Sequence, residues 1–139
     1  MNIKERFNLE FKEKVNKRFL KTVSAYANYN DGEIIFGIDD FGNVIGLDSI
    51  DNECIKIENI INDSLNPIPE FTIDGEDKEV KNIIVLRVKK GVDTPYYSGG
   101  KTYKRSDTST VEVESPELTR LVWMESTWIM KNERHLRKI

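Results

Sequence analysis

Between residues 7 and 27 the apolar pattern changes its period, and that change constrains the fold more than any other feature of the sequence. Over 7–12, Phe7, Leu9 and Phe11 alternate with Asn8, Glu10 and Lys12, the two-residue repeat of a strand with one buried face. From Lys14 onward Val15, Phe19, Val23 and Ala27 recur every four residues, so the spacing predicts a helix over 14–27 with a single apolar stripe. The turn chemistry of Asn28–Gly32 (NYNDG) ends that helix. Glu33–Asp40 (EIIFGIDD) then reads as a strand with a buried centre, and Asp39–Gly42 turns it back into Asn43–Leu47 as a hairpin.

Asp51 can cap a second helix reaching about Leu65, with Ile57, Ile60, Ile61 and Leu65 as its buried stripe, and Pro67 and Pro69 stop it. Glu70–Asp74 and Val80–Lys89 read as strands, the second with a β-branched centre at Ile83, Ile84, Val85 and Val88. Tyr96–Tyr97 and Lys101–Lys104 flank Ser98-Gly99-Gly100 as a second hairpin. Ser115-Pro116-Glu117 opens a last helix that carries Leu118, Leu121, Val122, Trp123 and Trp128. This order predicts an α+β fold, a mixed and mostly antiparallel sheet flanked by about three helices.

At 139 residues, 38% of them hydrophobic, the chain suits one domain around one core. The lone Cys54 excludes an internal disulfide framework and a Cys-rich zinc site, and reads as a small core residue. No run approaches the roughly 18 apolar residues of a membrane span. The first residues lack a signal-peptide core, so the expected setting is the cytoplasm, with no membrane partner. Charge is segregated. Residues 1–30 carry seven basic against three acidic side chains, residues 31–80 two against fourteen, and residues 81–139 twelve against seven. The basic ends can therefore meet a polyanion on one face despite the net charge of −3, or simply be solvated surface.

Several chemistries drop out. There is no G-x-x-x-x-G-K-[ST] phosphate loop, Gly37, Gly42 and Gly46 lack the dinucleotide spacing, and His135 stands alone in a basic tail. Carboxylates remain. Glu10 and Lys12 fall on one face of the first strand, and Glu5 lies five residues upstream of Glu10, while Asp39 and Asp40 end the adjacent strand. Converging carboxylates suit the hard ions Mg²⁺ or Mn²⁺, with Lys12 stabilising charge at an attacked phosphate; the alternative is an ordinary surface salt bridge. Lys14, Lys17, Arg18 and Lys21 form a basic ridge opposite the apolar stripe. Lys101, Lys104 and Arg105, interleaved with Tyr96, Tyr97 and Tyr103, form a second cluster of the kind that meets unpaired bases. The alternatives are a wet helix face and a hairpin with tyrosines in the core.

Leu9–Lys12 (LEFK), Ser24–Asn28 (SAYAN), Asp31-Gly32, Gly37–Asp40 (GIDD) with the later Gly46-Leu47, Pro95–Tyr97 and Tyr103–Thr110 stand in order along the chain. Together they resemble the Schlafen-type AlbA-like domain, a family described as DNA-binding, over about residues 5–115. Asp31 and Asp107 stand where relatives often have Gly. The resemblance implies a nucleic-acid-binding module (DNA or RNA) of a transcriptional-regulator-type or defence protein over 1–115, with 116–139 as a terminal helix and basic tail that packs on it or dimerises. Its relatives often continue into an ATPase-like or winged-helix region, which here would lie outside the chain. Animal Schlafen proteins include metal-dependent endoribonucleases acting on transfer and ribosomal RNA. Their acidic triad corresponds to Glu5, Glu10 and Asp40, with Asp39 an alternative third member, as catalytic residues and ligands of Mg²⁺ or Mn²⁺. Those nucleases pair two such cores, which for a single copy would mean a homodimer, with Trp123 and Trp128 as candidate contacts.

Overall fold

A computed structural model describes residues 4–78 and 81–124. Its centre is a four-stranded sheet in the order β1-β2-β5-β4, formed by β1 (Leu9–Lys12), β2 (Gly32–Phe36), β4 (Phe71–Lys78) and β5 (Lys81–Val88). β1 and β2 run parallel, in register from Leu9–Glu33 to Lys12–Phe36; the β2–β5 and β5–β4 pairs are antiparallel. The helix α1 (Leu20–Tyr29) connects the parallel pair, as a parallel connection requires. The second helix, α2 (Ile50–Ser64), crosses back to the β4–β5 hairpin. Two small two-stranded sheets complete the chain: β3 (Leu65–Asn66) with β6 (Tyr97–Ser98), and β7 (Tyr103–Ser106) with β8 (Ser109–Glu112). A last helix begins at residue 115 and is described to residue 124. The α+β, mostly antiparallel architecture is the expected one.

The four-residue stripe is the core. Val15, Phe19, Val23 and Ala27 are all buried, with Ile34, Phe36, Ile57, Ile61, Ile84 and Leu86 around them. Phe19 meets Phe36 edge to face at 5.2 Å, a geometry that adds to burial worth about 1.5–3 kcal/mol for each large side chain. Leu9, Phe11, Ile38 and Ile83 form a smaller cluster. Glycine is required at Gly32, where a Cβ would lie 2.5 Å from the Tyr26 ring.

Three local expectations need correction. The helix starts later than residue 14: Asn16 accepts a hydrogen bond from the Arg18 N–H (3.0 Å) and caps a short 3₁₀ turn at Lys17–Phe19, because an Asn side chain competes for the backbone it precedes. The first strand loses Phe7 and Asn8 to a tight turn closed by reciprocal bonds between Arg6 and Leu9 (2.9 and 3.1 Å). The cap of α2 is Ser49, whose Oγ accepts from the Asn52 N–H, rather than Asp51. Among the described residues of the last helix Leu121 alone is fully buried; Trp123 is 63% exposed, and Trp128 and His135 lie outside the described residues.

The Gly99-Gly100 turn forms as expected, both residues with positive φ and reciprocal bonds joining Ser98 and Lys101. Its two arms, however, pair with other partners: Tyr97–Ser98 with β3, and Tyr103–Ser106 with β8. The β7–β8 hairpin was not expected. It turns through Asp107 at φ 56°, a conformation Asp tolerates and Gly prefers.

Candidate nucleic-acid interface

α1 packs along β7, and this contact joins the two basic clusters that lie some eighty residues apart in the chain. The Lys21 ammonium sits 5.7 Å from the centre of the Tyr103 ring, within cation–π range. The next residue, Thr22, shares a hydrogen bond of 2.8 Å with Thr110. Beneath them a buried clamp fixes the neighbouring strand. Asn28 Oδ1 accepts from the Tyr96 N–H (2.6 Å), its Nδ2 donates to the Tyr96 carbonyl (3.2 Å), and the Ser24 hydroxyl donates to the same carbonyl (2.7 Å). Ser24 Oγ in turn accepts from the Tyr103 N–H at 3.3 Å. The i, i+4 spacing of Ser24 and Asn28 thus places both side chains on one helix face, where they fasten β6 and β7 to α1.

The basic residues divide into two kinds. Lys14, Lys17, Arg18 and Lys21 are exposed, and no carboxylate pairs with them among the described residues. The delayed helix start breaks their regular ridge: Lys14 precedes the 3₁₀ turn, Lys17 and Arg18 lie on it, and Lys21 alone is on α1. The other three cations are committed. Lys101 pairs with Glu112 (3.4 Å) and Lys104 with Glu117 (2.7 Å). Arg105, whose side chain is only 4% exposed, donates Nη1–H to Glu10 Oε1 (3.0 Å) and to Thr110 Oγ1 (3.1 Å). Its Nε and Nη2 donate to the Phe7 and Arg6 carbonyls, at 2.9 and 3.0 Å. Arg105 is therefore the fastener of the N-terminal turn to the β7–β8 hairpin, and it is withdrawn from any phosphate. Tyr103 is nearly buried and offers Lys21 its ring rather than a base.

Among the acidic residues, Glu10 stands where the strand alternation predicts. Glu10 and Lys12 share a face of β1, with Lys12 Nζ 3.9 Å from Glu10 Oε2. That oxygen is buried and accepts no hydrogen bond. Burial, then the neighbouring Glu10 and Asp40 carboxylates, push the Glu5 carboxyl up, against the Phe11 N–H and the Arg105 guanidinium, which hold it down. Hydrogen bonding distinguishes the two adjacent aspartates. Asp39 Oδ1 accepts from the Phe41 and Asn43 N–H groups (2.9 and 2.8 Å) and its Oδ2 from Asn43 Nδ2 (3.2 Å), bonds that hold its carboxyl below the ordinary range. Asp39 is thus spent on the hairpin turn, and Asp40, which is exposed, is the acid that acts on Glu5. Yet among the described residues no three His, Cys, Asp or Glu side chains form a group that could hold a metal ion.

A pocket of about 220 Å³, which the sequence did not disclose, opens on the other side of Arg105, lined by Phe7, Tyr26, Tyr29, Lys104, Arg105 and Glu117 among others. Glu117 accepts from the Tyr29 hydroxyl (2.5 Å) and from Lys104 (2.7 Å). These bonds hold the Glu117 carboxyl down, while burial and then the Glu117 bond push the Tyr29 phenol up. The partial signal was the helical spacing of Lys21, Ala25 and Tyr29, which puts cation and aromatic on one face of α1.

A family model described as Schlafen, AlbA_2 matches residues 5–114, most of the chain. The chain belongs to the Schlafen AlbA_2 family. Solved structures share the fold, these two among them. The DIP2311 protein from Corynebacterium diphtheriae is 18% identical with a TM-score of 0.61, and the match covers 83% of this chain and 23% of that one. The N-terminal domain of a protein from Nitrosomonas europaea, named for its relation to the ATP-dependent DNA helicase RecG, is 22% identical with a TM-score of 0.60, covering 81% and 87%. The chain thus spans about a quarter of the length of the former and most of the latter domain. None of the curated proteins compared matches it. Asp107 occupies, in this Schlafen AlbA_2 domain, the left-handed turn position that explains why glycine suits it.

Proposed function

We propose that this Schlafen AlbA_2 domain binds nucleic acid, DNA or RNA, through its phosphate backbone, as a module of a regulatory or defence protein in the cytoplasm. One observation carries the reading. Lys14, Lys17, Arg18 and Lys21 stand exposed with no carboxylate partner among the described residues, whereas Lys101, Lys104 and Arg105 are each ion-paired. Free cations release counterions from a polyanion, and each phosphate contact adds about 0.9 to the slope of log affinity against log salt. The neighbour's relation to a DNA helicase supports the reading by analogy. The double variant Lys17→Glu/Lys21→Glu is expected to abolish binding of a fluorescent oligonucleotide by anisotropy at moderate salt, with an unchanged circular dichroism spectrum. Full retention of binding and of its salt slope refutes the reading.

A second reading, an Mg²⁺- or Mn²⁺-dependent endoribonuclease acting on structured RNA such as transfer RNA, draws on the buried Oε2 of Glu10, which accepts no hydrogen bond, beside Glu5 and Lys12. Glu5, Glu10 and Asp40 would be the ligands. As arranged they do not complete a divalent-cation site, since Arg105 occupies the other oxygen of Glu10 and no ligand trio is formed among the described residues. Total transfer RNA incubated with and without Mn²⁺ tests it: fragments that need both the metal and Glu10, absent in Glu10→Ala, establish an enzyme. Intact RNA leaves the binding module.

A further inference from the structure

We infer that the pocket between α1, the N-terminal turn and the last helix receives one unpaired base of a bound strand, so that the domain prefers single-stranded or looped nucleic acid to duplex. This rests on the backbone-binding reading and deepens it.

The walls are suited to a flat aromatic guest. Phe7 and Tyr29 supply rings over the fully buried Tyr26, whose ring faces Arg105, and Phe7 is 50% exposed although the Arg105–Phe7 bond holds its backbone in place. An exposed Phe on a fastened turn presents a face on which a base can stack. The volume, about 220 Å³, is about seven times the roughly 30 Å³ share of a liquid water. It falls below the range of about 300–1,000 Å³ that serves drug-sized ligands, so it suits a single ring system.

The polar groups can read an edge. The Glu117 carboxylate, with Tyr29 and Lys104 holding it, keeps lone pairs free for the exocyclic amine of a base, and Lys104 can donate to a ring acceptor.

Position links the pocket to the ridge. Lys21, Ala25 and Tyr29 follow one another on the same face of α1, and Ala25 and Tyr29 line the pocket. Lys21 to Tyr29 is eight residues, about 12 Å along the helix. A strand held at Lys17 and Lys21 can therefore deliver a base to the pocket. A duplex cannot do so without extruding one, at a cost of a few kcal/mol.

The test uses a single-stranded oligonucleotide carrying one 2-aminopurine, its duplex, and both in RNA and DNA form. Stacking of a base on an aromatic side chain implies at least about a fivefold loss of single-strand affinity in Phe7→Ala. The same variant should lose the quenching of 2-aminopurine and leave duplex affinity within twofold. Tyr29→Phe, which keeps the ring and removes only the hydroxyl bond to Glu117, should retain the quenching. Equal effects of Phe7→Ala on strand and duplex, or no effect on either, overturn the pocket. Lys17→Glu/Lys21→Glu separates the two ideas: if it leaves both affinities intact the backbone reading fails, whereas if it lowers both and Phe7→Ala lowers neither, the pocket alone fails.

Discussion

Replacing Arg105 by Met should destabilise the domain far more than the loss of an ordinary surface ion pair. The Arg105 side chain is 4% exposed and the Glu10 side chain 10% exposed, with 3.0 Å between Nη1 and Oε1. Exposed pairs contribute about 0–1 kcal/mol. Removing one partner of a buried pair costs about 3–5 kcal/mol, although Lys12 Nζ, 3.9 Å from the other oxygen of Glu10, still offsets part of the charge left behind. The same substitution strips donors from the Arg6 and Phe7 carbonyls and from Thr110, which keeps the expectation within that range. Against a domain stability of about 5–15 kcal/mol this is a large fraction. With a urea m-value of about 2 kcal/mol/M it lowers the midpoint by about 2 M. Adding Glu10→Gln to Arg105→Met removes the stranded charge and should recover about 2 kcal/mol, a coupling that a double-mutant cycle reads directly. Equilibrium urea unfolding followed by circular dichroism is the assay. A loss below about 1 kcal/mol, or no recovery on adding Glu10→Gln, would show that the pair is solvated and that Arg105 is not the fastener described.

Asn28→Ala removes the acceptor of the Tyr96 N–H and one donor to the Tyr96 carbonyl, which keeps the Ser24 hydroxyl, and at about 1–3 kcal/mol for lost buried hydrogen bonds should lower the thermal midpoint by several degrees. Asn28→Asp should not rescue it, having no N–H to donate. Glu5→Gln should stabilise the fold near pH 7. The Glu5 carboxyl is raised above its ordinary value of 4.5, so its charged form opposes folding above the folded-state value, and that penalty disappears as pH falls toward 4.5. Thermal melts at pH 7 and pH 4 should therefore show a gain that shrinks on acidification; a constant gain refutes the electrostatic account. Asp107→Gly should stabilise by about 0.5 kcal/mol in urea unfolding, because φ 56° costs an L-residue more than it costs Gly.

Much of this fold was legible because apolar period is a local property. The stripe Val15, Phe19, Val23 and Ala27 and the alternation that puts Glu10 and Lys12 on one strand face each follow from spacing alone, and both are present. Turn chemistry was equally local at Gly99-Gly100. Where local reading failed, a short-range competitor had displaced the pattern: Asn16 and Ser49 capped earlier or later than the apolar residues implied, and the Arg6–Leu9 turn withdrew Phe7 from its strand.

The site was less legible, because its members are distant in sequence and their roles are set by partners. Lys101, Lys104 and Arg105 look alike beside tyrosines in the chain. Only the packing of β7 on α1 turns Arg105 inward onto Glu10, sends Lys104 to Glu117 and leaves Lys17, Arg18 and Lys21 exposed. Asp39 and Asp40 are adjacent and chemically identical, and it is the hairpin's own N–H groups that claim the first and spare the second. The sequence by itself determined which residues could be charged, buried or turning, since periodicity and turn chemistry act over a few residues. The tertiary structure decided which charges were neutralised and which aromatic rings faced a cavity, since those depend on contacts between segments that no local pattern encodes.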